Sequence, residues 1–360
     1  MPPDPSLFSL IATSHSNRLF QQGIDVLNVL NAQIQQTILS SMFEPHVFVG
    51  VQTFSSFELY AASYGELARH SRKITVLGEA DVRPRSLNNT EFIALPSGSA
   101  LTKERFLIIN DPSWQVMLLA QVLAETTERP GRQQRYQGLL TFSTQTIERC
   151  NMLASMLAGQ PAQPVGRAEP MLQQQHIAQF VMRLALMQHT VDLNLPQLLV
   201  EVPALVDVAK QVAQQPSMVA RLQWLINQSR ALIRTDSITI YRKEDTMLRP
   251  VVSTHPLDQV KGIVNGQGMI GGIVNTPQLV VVDGTAAAHE SSLANAQSVL
   301  AMPIFDQSGE QMWGVVAYGT SRGGAFGNPP ERVPLATITG MISGIVFDDR
   351  STVEPQSPPP

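Results

Sequence analysis

GQGMIGGIVNTPQLVVVDGT, residues 266–285, decides how the C-terminal half of the chain is read. Gly266, Gly268 and Gly271 spell a GxGxxG, and Asp283 ends an apolar run downstream, which is the outline of a dinucleotide fingerprint. That fingerprint needs a buried first strand and a full helix between the glycines and the second strand. Here the preceding run, GIVN, is short, and only Gly272 to Gln278, with Pro277 inside, separates the glycines from LVVV. Fewer than two helical turns fit there, so a Rossmann crossover cannot be built. The neighbouring segments instead read as strands. SITIYR from Ser237 alternates, MLRPVVST follows as its hairpin partner, and LVVVD, VLAMPIFD and MWGVVAYGTS continue the sheet. QSGE (307–310) is a tight turn between the last two, and a helix from Pro334 to Val346 closes the domain.

Upstream, Met171 to Gln215 is helical in pattern. In its first part only a narrow polar stripe at Gln175, Gln179 and Arg183 interrupts the apolar residues, so that helix must be covered on more than one side. Leu198, Val202, Leu205, Ala209 and Val212 then recur as a heptad seam, with Pro203 inside it, where a helix kinks or begins. Ser217 is placed to cap a third helix. Helices of this kind serve either as a dimer interface or as cover for their own domains, and a seam this short leaves both open. The N-terminal part alternates helices with short strands: a helix over Asn17–Leu39, then HVFVGVQ, a helix over Glu58–His70, KITVLG, EFIAL and RFLIIND. VMLLAQVLAE reads as helix or buried strand, and LLTFST leads into a helix over Gln145–Leu157.

Composition narrows the function. The chain has 360 residues, 43% hydrophobic and 15% charged, with a net charge of −4. That excludes a disordered chain, and the absence of a large positive field argues against nucleic-acid or anionic-membrane binding. No run reaches the length of a membrane span, and MPPDPSLFSL lacks the features of a signal peptide, so a soluble cytoplasmic protein is expected. GQPAQPVGRAEP (159–170) reads as a linker and STVEPQSPPP (351–360) as a disordered tail. The seven histidines are scattered without metal-ligand spacing, and no nucleophile elbow, P-loop or kinase signature occurs. The single cysteine, Cys150, cannot form an intrachain disulfide and reads as an inert thiol. Basic clusters such as Arg129, Arg132 and Arg135 read as solvated faces. No catalytic residue and no metal site is expected.

Residues 217–347 resemble a GAF domain, through the entry helix, SITIYR, GQGMIGGIVNTPQLVVVDGT, LAMPIF, GEQMWGVVAYG and the closing helix in that order. Residues 5–158 resemble the DICT sensory domain of cyanobacterial and archaeal signalling proteins, through HVFVGVQTFSSF, YAASYGELARHS followed by KITVLGEAD, RFLIIND and QRYQGLLTFSTQTIERC. The resemblances imply an α/β and α+β protein of two sensor-type domains, each a sheet with flanking helices, joined by a helical segment. The boundaries expected are 1–158 (DICT-like), 159–170 (linker), 171–216 (helical connector), 217–348 (GAF) and 349–360 (tail).

GAF domains bind small molecules between sheet and covering helices, or serve as ligand-free dimerisation modules. The resemblance puts Gly268 and Gly271 at a helix start facing that pocket and Asp283 on its covering loop, with His255, Met302 and Tyr318 as candidate lining residues. The same glycines equally serve tight turns, and Asp283 a cap. Residues 217–347 hold no cysteine, so covalent bilin and cysteine-based sulfoxide reduction are not expected; any ligand is noncovalent. The motif of cyclic-nucleotide GAF domains is missing, and no output domain is expected. The expectation is a non-enzymatic sensor acting through a downstream signalling protein, with a homodimer through 171–234. The alternative is an adaptor subunit of a larger assembly, photosynthetic in one reading.

Overall fold

In a computed structural model the chain is described over residues 6–12, 14–41, 43–123, 135–161, 169–188, 191–290, 295–306 and 311–351. Most of the expected Pro-rich linker, the tail beyond Ser351, the QSGE turn, Arg129 and Arg132 lie outside the described residues. The chain divides into two compact units, residues 1–169 with 188–203, and residues 170–187 with 204–360.

The first unit is built on a seven-stranded mixed sheet in the order β1-β7-β6-β5-β2-β3-β4. Its strands are β1 (Phe20–Gly23), β2 (His46–Thr53), β3 (Lys73–Glu79), β4 (Thr90–Leu95), β5 (Glu104–Asp111), β6 (Trp114–Val122) and β7 (Arg135–Thr141). The β2–β3 and β3–β4 pairs are parallel and the others antiparallel. Its helices are α1 (Leu7–Ala12), α2 (Ile24–Leu39), α3 (Phe54–Glu58), α4 (Ala61–Arg69) and α5 (Thr144–Leu157). Val116–Val122 of VMLLAQVLAE resolves as strand, Ala124 and Glu125 lying outside the described residues: Asp111 Oδ1 accepts from the Ser113 amide at 2.8 Å, and the resulting tight turn folds β6 back on β5. Period 2 sorts the strand residues onto two faces. Phe48, Leu77, Phe106, Ile108, Met117 and Leu119 pack with α1 and α5. The opposite face carries Val49, Leu107, Leu118 and Ala120, towards α2 and α4.

Two helical expectations change here. Phe20 to Gly23 forms β1 against β7, so the helix begins only at Ile24, where a β edge competes successfully with the helical spacing. Glu58–His70 is not one helix. It is α3, capped by Thr53 and Ser56 in a reciprocal box, a break at Leu59–Tyr60, and then α4.

The heptad seam also breaks. After α6 (Pro170–Met187) come a single turn, α7 (Leu195–Leu198), and a separate helix, α8 (Pro203–Ala213). Proline opens α8 because it is free of strain only in a first turn. Leu198 and Val202 therefore lie outside the helix that carries Leu205, Ala209 and Val212. Segment 188–203 is fastened into the first unit by Glu201, which accepts from the Thr141 hydroxyl at 2.6 Å and the Phe142 amide at 2.8 Å and pairs with Arg18 at 3.2 Å.

The second unit holds α6, α8, α9 (Met218–Leu232), α10 (Gly268–Gly272), α11 (Thr285–Glu290) and α12 (Pro329–Ser351). Its sheet has six antiparallel strands in the order β10-β9-β8-β13-β12-β11. They are β8 (Ser237–Lys243), β9 (Met247–Ser253), β10 (Ile263–Val264), β11 (Val280–Asp283), β12 (Ser298–Phe305) and β13 (Met312–Thr320). One face packs Tyr241, Val299, Ala301, Val315 and Ala317 against Ile270 and Ile273 around α10 and Ala287 of α11. The other face meets α9 and α12. Of the polar stripe of α6, Gln179 and Arg183 are buried and Gln175 is half-buried. Arg183 is 2% exposed, its guanidinium 4.0 Å above the Phe347 ring of α12. The α6–α12 approach rests on glycine: a Cβ on Gly340 would lie 2.1 Å from the Gln175 carbonyl oxygen, and one on Gly344 would lie 2.8 Å from Met182 Cβ.

Candidate functional site

The residues expected to form a GAF ligand site do not converge. Gly266 and Gly268 have φ of +79° and +64°, so glycine is needed for the turn that enters α10. A Cβ on Gly271 would lie 2.5 Å from the Val264 carbonyl, so that glycine permits a close backbone approach. Helix α10 spans only five residues and offers no developed N-terminal dipole. The Asp283 carboxylate accepts from the Ser298 hydroxyl on the adjacent strand. His255 follows β9, its amide donating to Ser253 Oγ at 3.2 Å. Met302 and Tyr318 occupy the opposite face of the sheet from the α10 cluster. The Tyr318 hydroxyl bonds to the Leu335 carbonyl at 3.1 Å and the Thr339 hydroxyl at 2.9 Å, and that hydroxyl lies 3.4 Å from Met302 Sδ. Strand parity is the cause, since Val299, Ala301, Val315 and Ala317 are the residues that face α10 and α11.

A cavity lies instead in the first unit, between α2, α4 and strands β2, β5 and β6. It measures about 60 Å³, is partly open to solvent, and is walled by Leu27, Val49, Leu107, Leu118 and Ala120. Polar groups enter it from three elements. Asn28 and Asn31 come from α2, and Tyr60 and Tyr64 from the start of α4, four residues apart and so on one face. Arg105 comes from β5, where alternation puts it on the same face as Leu107. On β2, Gly50 has no side chain because the Phe106 ring takes that place, 2.1 Å from where a Cβ would stand.

These polar groups are tied together. Gln35 Nε2 donates to Asn31 Oδ1 at 3.1 Å, and Asn31 Nδ2 donates to the Tyr64 hydroxyl at 3.3 Å. Tyr64 is buried, its ring centroid 5.0 Å from that of Phe57, and burial pushes its hydroxyl up to about 12, so it stays a proton donor. The Arg105 guanidinium carbon lies 5.6 Å from the Tyr136 ring centroid. Among the described residues no carboxylate pairs with Arg105, and its Nε is buried without an acceptor. Spacing rules did not single out any of these residues. The available signal was an arginine in phase with the inward positions of RFLIIND.

Cys150 is fully buried in α5, and burial first, with the Glu104 charge second, pushes its thiol up to about 12. No group of three or more metal-ligating side chains occurs among the described residues, and no described helix is long and apolar enough to cross a membrane.

Comparison with known proteins gives the following. No curated protein matches the chain. Among solved structures, similarity is found to the GAF domain of an Acinetobacter phosphoenolpyruvate-protein phosphotransferase, at 15% identity and TM-score 0.34, covering 40% of this chain and 91% of that one. A free methionine-R-sulfoxide reductase from Neisseria meningitidis is similar at 17% identity and TM-score 0.36, covering 41% and 87%. The phycocyanobilin-bound GAF domain of a cyanobacterial phytochrome is similar at 13% identity and TM-score 0.32, covering 41% and 93%. Two family models match: residues 4–123 carry a DICT domain, described as a sensory domain in diguanylate cyclases and two-component systems, and residues 217–339 carry a GAF domain.

Proposed function

We propose that the chain is a non-enzymatic cytoplasmic signalling sensor that binds a noncovalent small molecule and acts through a partner protein. The reading divides the chain into a DICT-like domain at 1–158 and a GAF domain at 217–348. The observation that carries it is a mostly apolar cavity with a polar end, lying within the stretch that matches a sensory-domain model. The GAF domain serves as the interaction and transmission module. Its helical cover is α6, α9 and α12, and its α10 face is packed with side chains. A ligand biases such a protein only by binding one arrangement better than another. The buried, protonated Cys150 thiol favours noncovalent binding.

Native mass spectrometry of the full chain from a bacterial cytosol tests this reading, with an assay on free methionine-R-sulfoxide and dithiothreitol beside it. The expected result is a discrete adduct lost on denaturation, with no turnover of the sulfoxide. Turnover would make the chain an enzyme like its reductase neighbours. Bare mass, together with a constitutive partner bound in every state, would make it an adaptor.

A further inference from the structure

The first-unit cavity has a specific chemistry. Among the described residues Arg105 is the one cation that lines it, and the other walls are mostly apolar. Arg105 is half-buried, and its Nε, a buried donor without an acceptor, marks a place where a water or ligand belongs. The Arg105 guanidinium carbon stands 5.6 Å over the Tyr136 ring, a cation–π contact that leaves Nε without a hydrogen-bond acceptor. Tyr64 accepts from Asn31, so its own proton is free to be donated. A site of converging donors beside apolar walls selects an acceptor-rich anion with an apolar body. A guanidinium fork matches a planar carboxylate best. The volume of about 60 Å³ limits the guest to a compact molecule.

We propose that the cavity between α2, α4 and strands β2, β5 and β6 binds a small monocarboxylate with a short or single-ring apolar body, its carboxylate held by the Arg105 guanidinium. Asn28, Tyr60 and Tyr64 complete the polar end, and the Gln35–Asn31–Tyr64 chain fixes the orientation of the Tyr64 hydroxyl. This inference rests on the sensor reading and names the ligand class for it.

The test titrates the full-length chain calorimetrically with benzoate, benzamide and inorganic phosphate at one ionic strength. Benzoate is expected to saturate, benzamide to bind at least tenfold more weakly, and phosphate not to saturate. Arg105→Gln should weaken benzoate at least tenfold and Arg105→Lys less. If Arg105→Gln fails to fold, labelling of the wild-type chain with p-hydroxyphenylglyoxal decides. Benzoate should slow modification of Arg105 severalfold and leave the exposed Arg242 unchanged. Equal binding of benzamide, phosphate as tight as benzoate, a folded Arg105→Gln with unchanged affinity, or absence of both saturation and protection each overturns the proposal. Failure here with an adduct still present in the native spectrum leaves the sensor reading standing. Benzoate binding that changes neither hydrogen exchange outside the cavity nor partner binding keeps the site and overturns the sensor.

Discussion

Replacing Gly340 by alanine tests the packing on which the second unit depends. In an exposed helix interior the change would stabilise by about 1 kcal/mol, because glycine costs more backbone entropy than alanine. At Gly340 the new Cβ would stand 2.1 Å from the Gln175 oxygen and 2.9 Å from its carbonyl carbon. Both atoms are backbone, so no side chain can rotate away, and α6 and α12 must separate by about 1 Å to restore van der Waals contact. Overpacking of this kind costs up to about 3 kcal/mol, which leaves a net loss of about 2 kcal/mol. In a unit of this size that lowers the melting temperature by roughly 4–8 °C. Urea unfolding read by hydrogen–deuterium exchange mass spectrometry reports each unit separately, which matters because a chain of two units need not unfold in one step. Gly65→Ala is the control, since a Cβ there meets only Leu87 Cδ2 at 3.7 Å in mid-α4, and it should gain stability. If Gly340→Ala matches the wild type or exceeds it, the close α6–α12 pairing is wrong.

Burial first and the Arg183 charge second push His176 down from 6.5 to about 4, so it is neutral when folded and the unfolded chain binds the extra proton. Its contribution is therefore complete above pH 6.5 and is lost as pH falls towards 4, by at most about 3 kcal/mol; denaturant midpoints across that window should fall in the wild type and flatten in His176→Gln. Glu201→Ala removes two hydrogen bonds to a carboxylate that is 15% exposed, and should cost about 1.5–3 kcal/mol and raise deuterium uptake across 188–203. Arg18→Ala breaks only the ion pair, whose arginine side chain is 42% exposed, and should cost under about 1 kcal/mol; equal effects of the two changes would show that the hydrogen bonds do not fasten the segment.

The sheet strands were legible because alternation and turn chemistry act locally: SITIYR, KITVLG and RFLIIND lie in strands, and so does LVVVD from Val280. The helical middle was legible as helix but not as packing. Apolar spacing in 198–212 reads as a continuous seam, yet Pro203 starts a new helix there, and the residues before it are held elsewhere by Glu201. That competition is between a local repeat and a tertiary hydrogen bond some sixty positions away in sequence, which no periodicity records. The Gln175–Gln179–Arg183 stripe was legible on a helix covered from more than one side, but the helix that covers it was not. The stripe is polar in composition, but glycines at 340 and 344 bring a partner helix close enough to cover Gln179 and Arg183.

The candidate site was less legible for a different reason. Met302 and Tyr318 lie on the α12 side of β12 and β13; a shift of one residue along a strand exchanges its two faces, and only the register with β8 and the position of α12 fixes which face is which. Arg105 carries the opposite lesson. Its phase with Leu107 and Ile109 already put it on an inward face, and a charge among inward apolar positions is costly unless something meets it. Sequence spacing cannot say whether that something is a carboxylate of the same chain. The fold answers by bringing Asn28, Asn31, Tyr60 and Tyr64 to Arg105, groups that supply donors and no negative charge. Among the described residues no carboxylate meets Arg105, and the proposed ligand supplies that counter-charge. For that reason the difference between benzoate and benzamide binding, which alters the charge and little of the shape, bears on the site more directly than any loss of stability in a variant.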